Sequence, residues 1–144
     1  MKKRLPGLIC IAATLVLCIV AARHDLSKSA TFVRQNKEPL TALAEEILVN
    51  SASGKFACPG AEQFQSMVYV KDGTQYIPYV EFFMETPAGY SGFYYSPTGI
   101  PIPFGGIPDA ELTPSSSGWS WEFMDICGTT SKITDRWYSF RVTL

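Results

Sequence analysis

The sequence predicts an α+β domain, in which an N-terminal hydrophobic helix and an amphipathic helix pack on an antiparallel β-meander of four to five strands. Before position 50, apolar residues recur at steps of three and four, the period of a helix. From Phe64 onward the period changes to two, as in strands. Eighteen of the nineteen aromatic residues fall between Phe56 and Phe140. This density is typical of a packed β-sheet core and excludes a disordered tail.

Residues 1–22 have the pattern of a transmembrane anchor or an export signal. Three basic residues at positions 2–4 precede a largely apolar run over residues 5–22. As a helix, that run spans about 27 Å, close to a hydrocarbon core of roughly 30 Å. The basic cluster places the N-terminus in the cytoplasm, so we expect a single-pass cell-membrane protein with an extracytoplasmic C-terminal domain. The alternative is a secreted protein, cleaved near Ala22 after small residues.

Residues 23–50 are predicted to extend this segment as a helix. An apolar stripe with helical spacing lies in its second half and comprises Leu40, Leu43, Ala44, Ile47 and Leu48. We expect Pro39 to kink or restart the helix, because proline lacks the amide hydrogen and clashes with the preceding turn. Asn36 is the residue expected to cap the restart.

Residues 51–144 are predicted to form the antiparallel sheet part of the same extracytoplasmic domain. The predicted strands are residues 64–70, 75–85, 92–96, 119–124 and 132–144. Asp72-Gly73 supplies the turn of the first hairpin, and Pro78 predicts an edge or a bulge in the second strand. Five prolines fall within residues 97–114. This long loop is predicted to be a binding element or a cover for the sheet edge.

Aromatic residues of the predicted strands form a possible binding surface, because tyrosine and tryptophan combine contact area with a polar group. The candidates are Tyr94, Tyr95, Trp119, Trp121 and Trp137. The alternative is that these residues are core and cross-strand pairs of a small sheet. If some are exposed, alternation along the strand predicts that either Tyr94 or Tyr95 points outward.

Two of the four cysteines, Cys58 and Cys127, lie in the part of the chain that is predicted to be exported. Because export leads to an oxidising compartment, we expect them to form a disulfide. The bond would close a loop of about 70 residues and stabilise the fold by about 4 kcal/mol. Cys10 and Cys18 lie in the apolar segment, where a thiol behaves as a small hydrophobic group.

No residue pattern indicates catalysis, a cofactor or a metal ion. His24 is the single histidine and lies two residues beyond the apolar segment, where the membrane surface should hold it away from any pocket in the domain. Histidine-based triads and most metal sites are therefore not expected. Residues 23–144 carry nine Lys/Arg and thirteen Asp/Glu without a basic stripe, so nucleic acid is not an expected partner.

Two aromatic motifs, Gly-Phe-Tyr-Tyr-Ser-Pro at residues 92–97 and Trp-x-Trp at residues 119–121, carry a resemblance to a family of proteins. The chain resembles uncharacterised small bacterial proteins of Firmicute type, which are membrane-anchored or exported. This resemblance implies a short N-terminal hydrophobic segment, a helix and an aromatic-rich C-terminal half. It implies no activity, substrate or catalytic residue.

The order of the elements is similar to that of type IV pilins and pseudopilins, which join an apolar helix to an amphipathic extension and an antiparallel sheet. The chain departs from their processing motif, because no acidic residue follows Gly7 before Asp25. We therefore expect a non-enzymatic binding or structural role at the bacterial cell envelope, with the membrane and an envelope protein or polymer as partners. The alternatives are a pilin-like or pseudopilin-like subunit and an envelope hydrolase that uses serine or carboxylates.

Overall fold

Two consecutive helices, α1 and α2, open the part of the chain that the computed structural model describes, which comprises residues 28–50, 55–57, 64–69, 78–103, 105 and 110–144. Residues 28–35 belong to α1, and α2 runs over Lys37–Val49. No helix within the described ranges is long and apolar enough to cross a membrane. The predicted anchor over residues 1–22 lies outside these ranges.

The helix breaks at Asn36 and restarts at Lys37, so Pro39 lies in the first turn of the restarted helix, as expected. Pro39 is the third residue of α2, where the first amide groups have no intrahelical acceptor and a missing N–H is tolerated. The expected side-chain cap by Asn36 is absent. Its side-chain amide instead donates to the Phe32 carbonyl at 2.9 Å, and its backbone N–H donates to the same oxygen at 3.0 Å. Asn36 therefore closes α1 instead of capping α2.

After the helices, the described residues form eight antiparallel strands in one sheet. The strands are β1 Lys55–Ala57, β2 Gln65–Tyr69, β3 Tyr79–Thr86, β4 Gly89–Tyr95, β5 Thr113–Ser115, β6 Gly118–Phe123, β7 Ile126–Thr134 and β8 Trp137–Thr143. Six strands have five residues or more, and the two three-residue strands lie at the sheet edges. Short edge strands offer little unpaired backbone to other chains. The predicted α+β class with an antiparallel sheet is confirmed, but the predicted number of strands was too low.

The sheet consists of two meanders that meet at its centre. The strand order is β1-β2-β3-β4-β8-β7-β6-β5, so each meander runs from an outer edge inward and ends at the β4–β8 pair. Residues 96–112, which we call the connection, carry the chain from β4 at the centre to β5 at the far edge. Pro78, which predicted an edge, lies directly before β3, an interior strand. It therefore removes no hydrogen bond from the ladder.

The last predicted strand, over residues 132–144, is in fact parts of two strands, β7 and β8. They are joined by a two-residue turn, Asp135-Arg136, in which Arg136 adopts a left-handed conformation with φ of 61°. The turn between β6 and β7 also places a residue other than glycine, Met124, at positive φ (53°). Hairpin turns that require positive φ are usually marked by glycine or asparagine, so the sequence did not reveal these two.

The sheet is covered on both sides at its centre. On one side, the helix side, α1 and α2 cover the residues Val80, Phe82, Phe93, Tyr95 and Trp137. On the other side, the loop side, Ile102, Ala110 and Leu112 of the connection belong to a second apolar cluster, whose sheet residues are Tyr79, Phe83, Tyr94, Trp121, Tyr138, Phe140 and Val142. Neighbouring residues in β4 are therefore both buried, and Tyr94 and Tyr95 are each only 1% exposed. The expectation that one of the two points outward is wrong, because alternation exposes a residue only where one side of the sheet is bare.

Polar groups at the margin of the helix side fasten α2 to the sheet. The Trp137 indole N–H donates to the Thr41 hydroxyl at 3.0 Å. The Tyr95 hydroxyl donates to Glu45 Oε1 at 2.9 Å and accepts from Arg136 Nη1 at 3.3 Å. The orientation of α2 on the sheet is thus determined by hydrogen bonds as well as by apolar packing.

We predict that Trp137→Ala lowers the free energy of unfolding by about 3–5 kcal/mol, the range for a large aromatic residue deleted from a core. Trp137 is fully buried, packs at tilted angles against the rings of Phe82, Phe93 and Tyr95, and holds α2 through Thr41. Equilibrium unfolding in denaturant measures the change. Met124→Ala, at a side chain that is 88% exposed, is the control and should change the free energy by about 0.5 kcal/mol or less. Equal effects of the two substitutions would contradict the described core.

Candidate functional site

A cluster of polar side chains lies on the loop side, beneath the connection. We call Glu81, Tyr94, Thr130 and Tyr138 the buried polar cluster. Three of its members lie in one row across neighbouring strands, because Glu81 on β3 pairs with Tyr94 on β4 and Tyr94 pairs with Tyr138 on β8. The rings of Tyr94 and Tyr138 stack with their centroids 5.1 Å apart and their planes 11° apart. The row thus presents a carboxyl group and two hydroxyl groups to the connection.

Each member of that row binds the backbone of the connection. The Ile102 N–H donates to the Tyr94 hydroxyl at 2.8 Å, and the Gly105 N–H donates to Glu81 Oε1 at 3.0 Å. The Tyr138 hydroxyl donates to the Gly99 carbonyl. Polar backbone groups in a covered loop require partners inside the protein, and these three side chains supply them.

The Tyr94 hydroxyl stands in the middle of an ordered chain of hydrogen bonds. Thr130 donates its single hydroxyl hydrogen to the Ser139 carbonyl at 3.0 Å. The 2.9 Å contact between the Tyr94 and Thr130 hydroxyls is therefore donated by Tyr94. This leaves the Tyr94 oxygen to accept from Ile102. Burial raises the pKa of Tyr94, so its hydroxyl stays protonated and can keep this donor role.

Glu81 is the most strongly perturbed acid of the described residues. Its side chain has no exposed surface, and Oε2 has no hydrogen-bond partner among them. Burial raises the pKa of Glu81 to about 8, although the Gly105 amide and the Tyr79 side chain offset part of the rise. At neutral pH the group is thus a neutral carboxylic acid within an aromatic core.

A shallow depression of about 190 Å³ lies on the opposite side of the sheet, over β6, β7 and β8. Two cross-strand rows line it, one of Ser120, Thr129 and Arg141 and one of Glu122, Cys127 and Thr143. These residues alternate with loop-side residues such as Trp121 and Val142 and so point to the helix side. We call this surface the open face, because Glu122, Cys127, Thr129 and Thr143 are exposed.

Gly128 lies behind the open face and has its missing side chain on the loop side of the sheet. A Cβ atom at Gly128 would lie 2.3 Å from the Trp121 ring, which packs directly against the glycine from the loop side. Trp121 is only 2% exposed. The indole ring therefore forms the floor of the sheet behind the depression, and glycine is the residue that lets the ring approach the backbone of β7.

The structure places four of the five aromatic candidates in the core rather than on a binding surface. Trp137 and Tyr95 belong to the helix-side cluster, and Tyr94 and Trp121 belong to the loop-side cluster. Trp119 is half-buried at the margin of the loop side, 6.2 Å from the Tyr138 ring. The predicted recognition surface is thus corrected to the alternative interpretation, core and cross-strand packing, because both sides of the central strands are covered.

The predicted disulfide is not seen in the structure. Cys127 has a free thiol and is exposed on β7. Cys58 lies outside the described residues, so the bond to Cys127 stays a prediction. No group of three or more potential metal-binding His, Cys, Asp or Glu side chains occurs in the described part of the chain. His24 lies outside that part.

Sequence reasoning missed Glu81, the residue with the largest pKa shift among the described acids. The signal was available, because Glu81 is the single charged residue in the apolar stretch 79–84. A charge in the middle of such a stretch indicates a buried group with a specific partner.

Comparisons of the chain with protein-family models, with curated proteins and with solved structures found no match. The two features of the described residues that bear on function are the buried polar cluster and the open face.

We predict that Tyr94→Phe releases the connection locally. The substitution removes the acceptor of the Ile102 N–H and should lower the free energy of unfolding by about 1–3 kcal/mol, the effect of an unsatisfied buried group. Hydrogen exchange at the Ile102 amide should accelerate. Thr130→Val is the matched control, because it removes the Tyr94–Thr130 hydrogen bond and leaves the Ile102 contact in place. If the Ile102 amide exchanges at the same rate in both variants, the Tyr94 hydroxyl does not hold the connection.

Proposed function

We propose that this domain is a non-enzymatic binding or structural module at the bacterial cell envelope. In this proposal, residues 5–22 hold it in the membrane and the described residues lie outside the cytoplasm. The observation that carries the proposal is the open face, which the helices leave uncovered over β6–β8. An exposed sheet surface with a depression shared by three strands is a suitable place for a partner to dock.

The composition of the open face favours a polar partner. Its two rows contain hydroxyl groups from Ser120, Thr129 and Thr143, together with one acid, Glu122, and one base, Arg141. Such a surface offers hydrogen bonds and both signs of charge rather than an apolar pocket. It suits a protein surface or a hydroxyl-rich envelope polymer.

The buried polar cluster supports a structural rather than a catalytic use of its acid and hydroxyl groups. Tyr94 and Glu81 each accept a hydrogen bond from an amide of the connection, and both side chains are almost completely buried. A catalytic acid or base must reach the proton that it transfers in a plausible substrate position. Here the connection occupies the space in front of both groups.

A pilin-like or pseudopilin-like subunit is the second candidate, and the packing of the helices on an antiparallel sheet favours it. Processing ahead of Leu8, with the helical segment kept, would support this candidate. An intact N-terminus would count against it.

We predict that a photo-crosslinking residue at position 129 captures a discrete partner in the native membrane. Thr129 is exposed at the centre of the open face, so a bound partner should lie within reach of its side chain. Residue Glu111, which is exposed in the connection, provides the matched control position. The measurement is gel electrophoresis and mass spectrometry of the full-length protein after illumination.

A crosslinked product of one defined mass from position 129, and none from position 111, is the expected result. The same products from both positions would mean nonspecific contact and would contradict the assignment of the open face. Turnover of a substrate by the purified protein, abolished by one substitution, would replace the binding role by an enzymatic one.

We predict that the intact protein from its native membrane has the full-length mass and one disulfide. The mass should be that of the full-length chain because residues 1–22 are retained as an anchor. The disulfide should form because Cys58 and Cys127 lie in an oxidising compartment. Mass spectrometry with thiol blocking before and after reduction measures both. A chain that begins at Arg23 would indicate a secreted protein, and a Cys127 that is blocked without reduction would exclude the disulfide.

A further inference from the structure

The open face carries two charged residues of opposite sign at diagonally opposite corners. The residues that line it form a grid of three strands by two cross-strand rows. Glu122 lies at the β6 corner of one row, and Arg141 lies at the β8 corner of the other. At the usual strand spacing and rise per residue, their Cα atoms are about 12 Å apart. The face is therefore negative at one corner and positive at the other.

The positions between these two corners carry short side chains. The other four residues of the grid are Ser120, Cys127, Thr129 and Thr143. Glu122 and Arg141 have the longest side chains of the face, and they stand at the two ends of a low centre in which three of the four residues bear hydroxyl groups. A surface of this shape is contacted first at its corners, and hydrogen bonds and water fill the centre.

We propose that the partner of the open face is a second copy of this chain, bound face to face about a two-fold axis. The proposal rests on the proposed function, in which the open face is a docking surface, and it names the occupant of that surface. In a two-fold contact, residue i of one copy contacts residue j of the other, and the reverse. An axis that lies between the two sheets, perpendicular to the line from Glu122 to Arg141, sets the glutamate of each copy opposite the arginine of the other. One chain thus supplies both ion pairs.

Charge complementarity favours a second copy over a polymer with one sign of charge. Such a polymer would be attracted to one corner of the face and repelled by the other, whereas a second copy meets an opposite charge at both corners. The guanidinium group of Arg141 suits this contact, because its five N–H donors can bind a carboxylate with two hydrogen bonds and still serve groups of its own chain.

The contact should be a weak one. The open face comprises few residues, and interfaces that bury less than about 1,200 Å² are typical of transient complexes. Ion pairs at such a surface each contribute little and are screened by salt. Residues 23–144 also carry thirteen acidic and nine basic residues, so two copies repel each other at long range. We therefore expect a dimer that dissociates on dilution.

The test is sedimentation equilibrium of the full-length protein in mild detergent, over a range of protein concentrations. Glu122→Arg and Arg141→Glu should each weaken self-association by about tenfold or more, because each turns two attractive contacts into two contacts between like charges. An equimolar mixture of the two variants should associate again, since every corner contact of the mixed dimer joins an arginine to a glutamate. Glu111→Arg, at an exposed residue of the connection, makes the same change of charge away from the open face and should leave self-association unchanged.

An unsubstituted protein that stays monomeric at every concentration would overturn the dimer. So would single variants that associate as strongly as the unsubstituted protein, a mixture that stays monomeric, or an equal effect of Glu111→Arg.

Where a charge-reversed variant fails to fold, photo-crosslinking from position 129 in the native membrane provides a second readout. A product of twice the chain mass that contains peptides of this chain alone supports the dimer. A product that contains a different molecule overturns the dimer and leaves the open face as a docking surface. The lack of any product from position 129 contradicts the proposed function together with the dimer.

Discussion

The pairing of β4 with β8 is the contact on which the rest of the fold depends. It joins the two meanders, and it is the position at which the sheet is covered from both sides. Trp137 and Phe93 face the helices from this pair, whereas Tyr94 and Tyr138 face the connection. Neighbouring residues are buried over most of both strands, so each strand contributes side chains to both layers of the core. Each meander alone would leave its inner edge and both of its central faces exposed.

Covering the loop side with a connection rather than with a helix has a consequence for the side chains beneath it. A helix satisfies its own backbone, but an irregular segment brings N–H and C=O groups that need partners. The tyrosine hydroxyls and the Glu81 carboxyl meet this need at Ile102, Gly99 and Gly105. The polar atoms on the loop side are therefore part of the packing, and the proline content of the connection suits a segment that donates few hydrogen bonds of its own.

The sequence predicted the elements that depend on local periodicity and missed those that depend on partners distant in the chain. The apolar stripe at Leu40, Ala44 and Ile47, the antiparallel sheet and the α+β class follow from repeat spacing and are confirmed. The hairpin at Asp135-Arg136 was missed because its positive φ falls on arginine. The burial of Tyr95 and the role of Glu81 were missed because both depend on what covers the sheet, and spacing along a strand carries no information about its cover.

The two sides of the second meander differ in burial. On its loop side, Trp121 packs against Gly128 and contributes to the core. On its other side, the neighbouring residues Glu122, Cys127 and Thr129 are exposed, and the helices do not reach them. Because successive side chains of a strand point to opposite sides, a substitution on the open face changes the surface and leaves the tryptophan packing in place. Substitutions on the loop side, by contrast, act on the packing of Trp121 against Gly128.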